Sequence, residues 1–360
     1  MTDVAAFYKD QRSTKFWVDV LSEDESFLYR LDGVVSGKIT CSTDARIKRG
    51  GQLSIVAKEP IDWWGRNRLR VMAEVNGQKW PLGVFIPSSP KQDHTASGVE
   101  FSVDINDKLL ILDDDKLPMS LTIEPGVTLV DVVIGMIRDL GEKRINIPRA
   151  FVDNRFASPV NKRPLVWDAG TERLTVINDI LDYIGYFSLT VDPTGQWVAK
   201  PYVTPAERPV SWKFFEGDKS LHSASYTHTQ DLTNVPNRIV YITQPQEEQG
   251  EPLVSSIENH DPNSPFSYEN RGRWITEVKD DAEAVGQAEL DKMVKTRLEN
   301  AMNPMEKVDL EIAPLPVELN DIADFRSGPY KFFGAVRKYE LSLDPGGLMS
   351  VTLRRVNRAY

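Results

Sequence analysis

The sequence predicts an α+β, mainly β protein, in which two antiparallel β regions flank a small α/β region. Three observations predict it: short runs where apolar and polar residues alternate, tight-turn signals between those runs, and only three segments with helical spacing. Many strands at short spacing without intervening long helices require antiparallel barrels or sandwiches.

Residues 15–111 carry the first β signal. Phe16-Trp17-Val18-Asp19-Val20, Gly37-Lys38-Ile39-Thr40, Gln52-Leu53-Ser54-Ile55-Val56, residues 69–75 and residues 99–103 read as short strands. Asn76-Gly77 is a tight-hairpin signal, because both residues tolerate positive φ. The pattern changes near Asp113. Residues 128–140 have apolar side chains at helical spacing, with Thr128 as the expected N-cap and Gly141 as the C-terminal stop. A second helix is expected over 174–183, ending at Gly185. A hairpin then turns on Asp192-Pro193-Thr194-Gly195.

Beyond Pro205 the signal is β again, with strands expected at 223–227 and 237–242. Residues 244–265 are polar and read as a long mobile excursion. A third helix is expected over 281–302, where Ala284, Val285, Ala288, Leu290, Val294, Leu298 and Met302 form an apolar stripe and Pro304 stops it. Strands at 308–312, 331–343 and 348–355 finish the chain, the last two joined by Asp344-Pro345-Gly346-Gly347. The expected domains are 1–112, 113–204 and 205–360, and pattern leaves open whether 205–242 completes the first β region or starts the second.

The 360 residues are 41% hydrophobic, enough for buried cores in two or three domains. A net charge of −10 argues against a dedicated nucleic-acid binder, since phosphate binding needs clustered Lys and Arg. The basic runs Arg46-Ile47-Lys48-Arg49 and Arg66-Asn67-Arg68-Leu69-Arg70 lie near Asp44, Glu59 and Asp62 and read as mixed surface. Residues 1–10 lack a signal-peptide pattern, and no apolar run approaches the ~18 residues of a membrane span.

No catalytic constellation emerges. Cys41 is the single cysteine, so neither an internal disulfide nor a thiolate metal site can form, and its setting suits a small buried residue. His94, His222, His228 and His260 sit in no nucleophile-base or metal motif; His222 and His228 are six apart on a strand, too far for shared ligation. Gly33-Val34-Val35-Ser36-Gly37 lacks the Lys and Ser/Thr of a phosphate loop. Asp113-Asp114-Asp115 has neither the alternation nor the glycine of a calcium loop. Trp63-Trp64 suits packing or an interface better than sugar stacking. The expectation is therefore no catalytic, metal or cofactor residue and no cofactor.

The order of phrases resembles the baseplate-hub (minor tail) proteins of long-tailed bacteriophages, including the N-terminal hub region of tail-associated lysins. Residues 109–117 close a β domain. Glu124-Pro125-Gly126-Val127-Thr128-Leu129 then opens a helix, an entry common in tail proteins of actinobacterial phages. Trp167-Asp168-Ala169-Gly170-Thr171, the following helix and the hairpin resemble the second half of the family's inserted domain. Asn237-Arg238-Ile239-Val240-Tyr241 is similar to the Asn-x-Val-x-Val strand of the hub's second barrel, and the helix at 281–302 with the segments 310–314 and 319–323 resembles its closing helix and final strands.

The resemblance implies two tail-tube-like β-barrel domains with the α/β domain between them. It implies a homotrimer whose six barrels form a pseudo-sixfold ring, joining a distal tail protein or the tail tube above to tip or fibre proteins below. The implied lumen passes tape-measure protein and then DNA. It implies a place at the virion tail tip after synthesis in the host cytoplasm. It also implies no enzyme, with wall-degrading activity residing in another protein, because relatives that carry a lytic extension carry it beyond the equivalent of Tyr360. Two alternatives are weighed: a glycan- or receptor-binding tail protein using Trp63, Trp64, Trp80, Trp197 and Trp212, and the hub of a contractile injection system.

Overall fold

The computed structural model describes residues 7, 12–57, 66–95, 98–149, 161, 164–218, 220–231, 235–243, 251–282, 286–301, 305–344 and 346–356. The chain falls into two compact units, Met1–Tyr226 with Asp309–Tyr360, and Thr227–Val308. It is mainly antiparallel β with few helices, as predicted.

In chain order the elements begin with β1 (Thr14–Leu21), β2 (Phe27–Leu31), β3 (Val34–Ser42), β4 (Arg49–Ala57), β5 (Arg68–Val75), β6 (Gln78–Thr95) and β7 (Gly98–Asp107). Next come α1 (Leu109–Asp114), β8 (Leu121–Ile123), α2 (Leu129–Arg138), β9 (Ile145–Asn146), β10 (Leu165–Trp167), α3 (Arg173–Tyr183), β11 (Thr190–Val191) and β12 (Trp197–Val198). Strands β13 (Val210–Phe215) and β14 (His222–Asp231) lead to β15 (Arg238–Thr243), β16 (Val254–Glu258), α4 (Tyr268–Arg271), β17 (Thr276–Ala282) and α5 (Gln287–Ala301). The chain ends with β18 (Met305–Ile312), β19 (Ile322–Ser327), β20 (Tyr330–Ser342) and β21 (Met349–Val356).

Strands β1–β7 form an antiparallel run in the order β3-β4-β7-β6-β5-β1-β2. Period-2 alternation makes the core here: Leu69, Val71, Ala73 and Val75 of β5 all point inward. Asn76 and Gly77 take φ of +50° and +85° and pair Val75 with Gln78, the tight hairpin read from the sequence. The second run has the order β14-β18-β21-β20-β19-β13, its last pair parallel, and β3 joins β20 to make one sheet of both. Numbered among themselves by chain position, the five strands β3-β4-β7-β6-β5 and the five strands β14-β18-β21-β20-β19 read identically as first, second, fifth, fourth, third; beyond them β1 flanks β5 in antiparallel and β13 flanks β19 in parallel.

The α/β region packs α1, α2 and α3 with the β11–β12 hairpin around its own core, including Leu109, Ile137, Ile177, Ile180 and Trp197. Thr128 stands at the N-cap of α2, but its side chain makes no capping hydrogen bond. Gly141 follows α2 at φ +83°, and no heavy atom lies within 4 Å of where its Cβ would stand. Gly141→Ala is therefore expected to cost only the backbone strain, about 1 kcal/mol by chemical denaturation. A cost below a few tenths would mean that this turn relaxes freely.

Three expectations are corrected. Residues 109–111 are the start of α1 and not β: the Asp107 carboxylate accepts the Leu109 N–H at 2.8 Å, satisfying a free donor of the first helical turn. The third helix starts at Gln287, and residues 276–282 are β17, which pairs in parallel with β15. Leu290, Val294 and Leu298 are its buried stripe, with Ala288 exposed; Ala284, Val285 and Met302 lie outside the described residues. The supposed excursion at 244–265 contains β16, held along β15 from Arg238↔Glu258 to Ile242↔Val254, with Ile257 against the core under α5. Its apolar Val254 and Ile257 sit in a run too short and polar to register as a strand. Residues 244–250 lie outside the described part.

Candidate functional site

Most of the residues weighed for chemistry are closed off or paired. Cys41 is fully buried on β3, and burial pushes its thiol up to about 12, so it is a small core residue. Gly33 keeps the chain close to β4: a Cβ there would stand 2.0 Å from the Val56 carbonyl oxygen. Asp113 and Asp115 are bound by the guanidinium groups of Arg46 and Arg173. His222 is buried, with Nδ1 2.7 Å from the Ser223 carbonyl oxygen. His228 reaches Glu306 at 3.5 Å, and His94 is exposed. His260 is held between Glu269 and Glu258, whose hydrogen bonds raise its pKa. Among the described residues no group of three or more His, Cys, Asp or Glu could hold a metal ion, and no helix is long and apolar enough to cross a membrane.

The tryptophans offered for sugar stacking are also placed. Trp80 is 8% exposed with its ring edge-on to Phe7, and Trp197 is fully buried. Trp212 is 8% exposed and donates Nε1–H to Asp321 at 2.9 Å. These three are core residues, and a sugar face cannot reach them. Trp63 and Trp64 lie outside the described residues.

Two buried polar nodes are what sequence reading missed. The first gathers Glu25 from the β1–β2 turn, Arg68 from β5, Lys108 before α1, Glu142 after α2 and Trp197 from β12. Lys108, fully buried, places Nζ 2.5 Å from Glu25 and 2.8 Å from Glu142. Arg68 binds Glu25 at 2.9 Å and also the Glu142 carboxylate. Trp197 donates Nε1–H to Glu142 at 2.9 Å, and Arg144 reaches Glu25 from the solvent side. Burial acts to raise Glu142, but hydrogen bonds from Arg68, Lys108 and Trp197 overcome it and hold the carboxyl below its ordinary range. The node ties the first β run to the α/β core with every charge opposed.

The second node centres on Arg49, 5% exposed on β4. One nitrogen donates to the Leu82 carbonyl at 2.7 Å and to the Tyr339 hydroxyl at 2.6 Å, and the other to Glu318 at 2.7 Å. Its backbone N–H donates to Asp107 at 3.0 Å. It ties β4 to β20 beside the seam of the two runs. The basic runs thus divide: Arg49 and Arg68 are internal, while Arg46, Arg66 and Arg70 face Asp113, Glu23 and Asp19. Arg68, Lys108 and Arg49 are buried at the centres of the two nodes, which fasten elements together.

No protein-family model matches the sequence, and no curated protein matches it. Solved structures do. A tail protein from Neisseria meningitidis superposes with a TM-score of 0.66 at 11% identity, over 95% of this chain and 97% of that one. The 43 kDa tail protein of prophage MuSo2 from Shewanella oneidensis gives 0.65 at 12% identity, over 96% and 98%. A prophage tail protein from Listeria monocytogenes gives 0.55 at 12%, over 95% of both. The chain therefore has the fold of phage tail proteins along nearly its whole length. At these identities the likeness is one of fold.

Proposed function

We propose that this chain is a structural baseplate-hub or minor tail protein. Two tube-like β units lie in each chain, and three chains make a pseudo-sixfold ring between tail tube and tail tip. The observation that carries the reading is the repeat of one strand order in two runs of a single sheet. A chain with two copies of one ring-forming unit lets a threefold object match a sixfold one. The tail-protein fold, shared end to end with the structures named above, supports it. In domain terms the first unit is 1–112, the α/β domain 113–204 and the second unit 205–360, the last containing the compact stretch Thr227–Val308.

The work of such a protein is mechanical, and it needs no catalyst. Tape-measure protein and DNA would pass through the ring, with tail-tube and tip or fibre proteins on its two sides. Three copies of a −10 chain bring −30 to the ring, and a channel of that sign repels the DNA backbone rather than holding it. Negative-stain imaging of the purified chain, and of tails carrying it, tests the reading. Rings with six similar lobes and the mass of three chains are expected. Particles of another symmetry in the assembled tail would overturn it.

A further inference from the structure

The two runs meet along one pair of strands. Strand β3 lies antiparallel to the far half of β20, from Ser42↔Lys338 to Lys38↔Ser342. This edge of β20 is free to receive it because β19 occupies only the near half, up to Ala335. A bulge between Val336 and Lys338 marks the change. Strand β6, which holds the same place in its own run, is built alike. β5 occupies its near half, Gln78 to Phe85, and a bulge follows between Ser88 and Lys91.

The far half of β6 differs in one respect. It pairs with β7 on one side, and among the described residues nothing pairs with it on the other. Lys91, Gln92, Asp93 and His94 are all exposed. The prolines, Pro87 and Pro90, stop short of this stretch, so every residue from 91 to 95 keeps its backbone N–H. The counterpart of β3 in the repeated five-strand order is β14. Its paired neighbour is β18, the opposite edge has no partner among the described residues, and Ala224 and Ser225 are exposed. The chain thus carries one slot without a strand and one strand without a slot, and each corresponds to a member of the filled pair.

We infer that β14 of one chain pairs antiparallel along the far half of β6 in a second copy, as β3 pairs along β20 within a chain. An unpaired edge is a template for another strand, and burying it between copies satisfies donors and acceptors that otherwise face water. Slot and strand are different surfaces, so the contact is head-to-tail and closes after three copies. Three seams within chains and three between them then alternate around the ring. This inference rests on the ring reading above.

Cysteine cross-linking tests it, because the native Cys41 is buried and does not compete. Full-length chains carrying Ala224→Cys or Ser225→Cys are mixed with chains carrying one of Lys91→Cys, Gln92→Cys, Asp93→Cys or His94→Cys, then oxidised with copper–phenanthroline. Disulfide-linked dimers are expected in mixtures and not in single variants, and covalent trimers when both cysteines share one chain. Wild-type trimers whose variants link in no combination, or only between identical positions, overturn the edge pairing and leave the ring standing. A chain that stays monomeric at every concentration and also fails to enter a ring in assembled tails overturns the ring and the pairing together.

Discussion

Lys108→Met is expected to lower the unfolding free energy by about 3–5 kcal/mol, because it strands two buried carboxylates against each other. The Lys108 ammonium is the shared partner of Glu25 and Glu142, whose side chains are 6% and 5% exposed. Arg68 remains on both acids and Arg144 on Glu25, but no cation then lies between the two buried carboxylates to oppose their repulsion. The methionine fills the volume of the lysine stem, so the loss is electrostatic and not a cavity. Adding Glu142→Gln removes one of the stranded charges and leaves Arg68 opposed by Glu25. The double variant is therefore expected to be more stable than the sum of the single changes by about 1–3 kcal/mol. Urea denaturation of all four proteins at neutral pH measures this coupling. A Lys108→Met variant within 1 kcal/mol of wild type would mean that the node is open to water, and the fastening role assigned to it would fall.

The sequence revealed those features whose cause is local. Alternation in residues 69–75 placed β5, and the positive-φ pair Asn76-Gly77 placed its hairpin. Apolar spacing placed α2 and α3 to within a few residues, because each buries one stripe. It failed where a distant partner decides the local form. Residues 281–282 read as the start of a helix, yet they end β17, which β15 draws into a parallel pair. Val254 and Ile257 look like two stray hydrophobes in a polar stretch until β15 and the core under α5 are beside them.

The buried nodes were invisible for the same reason. Glu25, Arg68, Lys108 and Glu142 come from four separate segments, and each looks like an ordinary surface charge in its own neighbourhood. A local clue did exist at Asp107-Lys108, an acid just before the apolar run 109–112, where a capping carboxylate would sit. The repeat of strand order left no sequence echo beyond β, α/β, β. In one run β3 and β4 are joined by a short turn, while residues 232–304 separate the corresponding β14 and β18. Equal topology carried by unequal spacing cannot be found by searching for a period.

Asp107 sets the sign of the pH dependence at the seam. It is 1% exposed, and burial pushes its carboxyl up to about 6, against the N–H groups of Leu109 and Arg49 and the charge of Arg49. In the unfolded chain the same carboxyl loses its proton near 3.8. Between these values the folded protein holds a proton that the unfolded chain has released, so this residue makes stability fall as pH rises. A gap of about two pH units corresponds to roughly 3 kcal/mol, complete once the pH passes about 6. Glu142 acts oppositely: its carboxyl is held low, so its contribution is present above its ordinary range and is lost on acidification. The difference in stability between wild type and Asp107→Asn isolates the first effect, since the amide oxygen still accepts the Leu109 N–H while the proton is gone. That difference is expected to shift by about 2–2.5 kcal/mol in favour of the variant between pH 4 and pH 7. Carboxyl carbon NMR of the folded wild type should show Asp107 titrating near 6. A difference that stays level across this range, or a midpoint in the ordinary aspartate range, would mean that water reaches the carboxylate beneath Arg49.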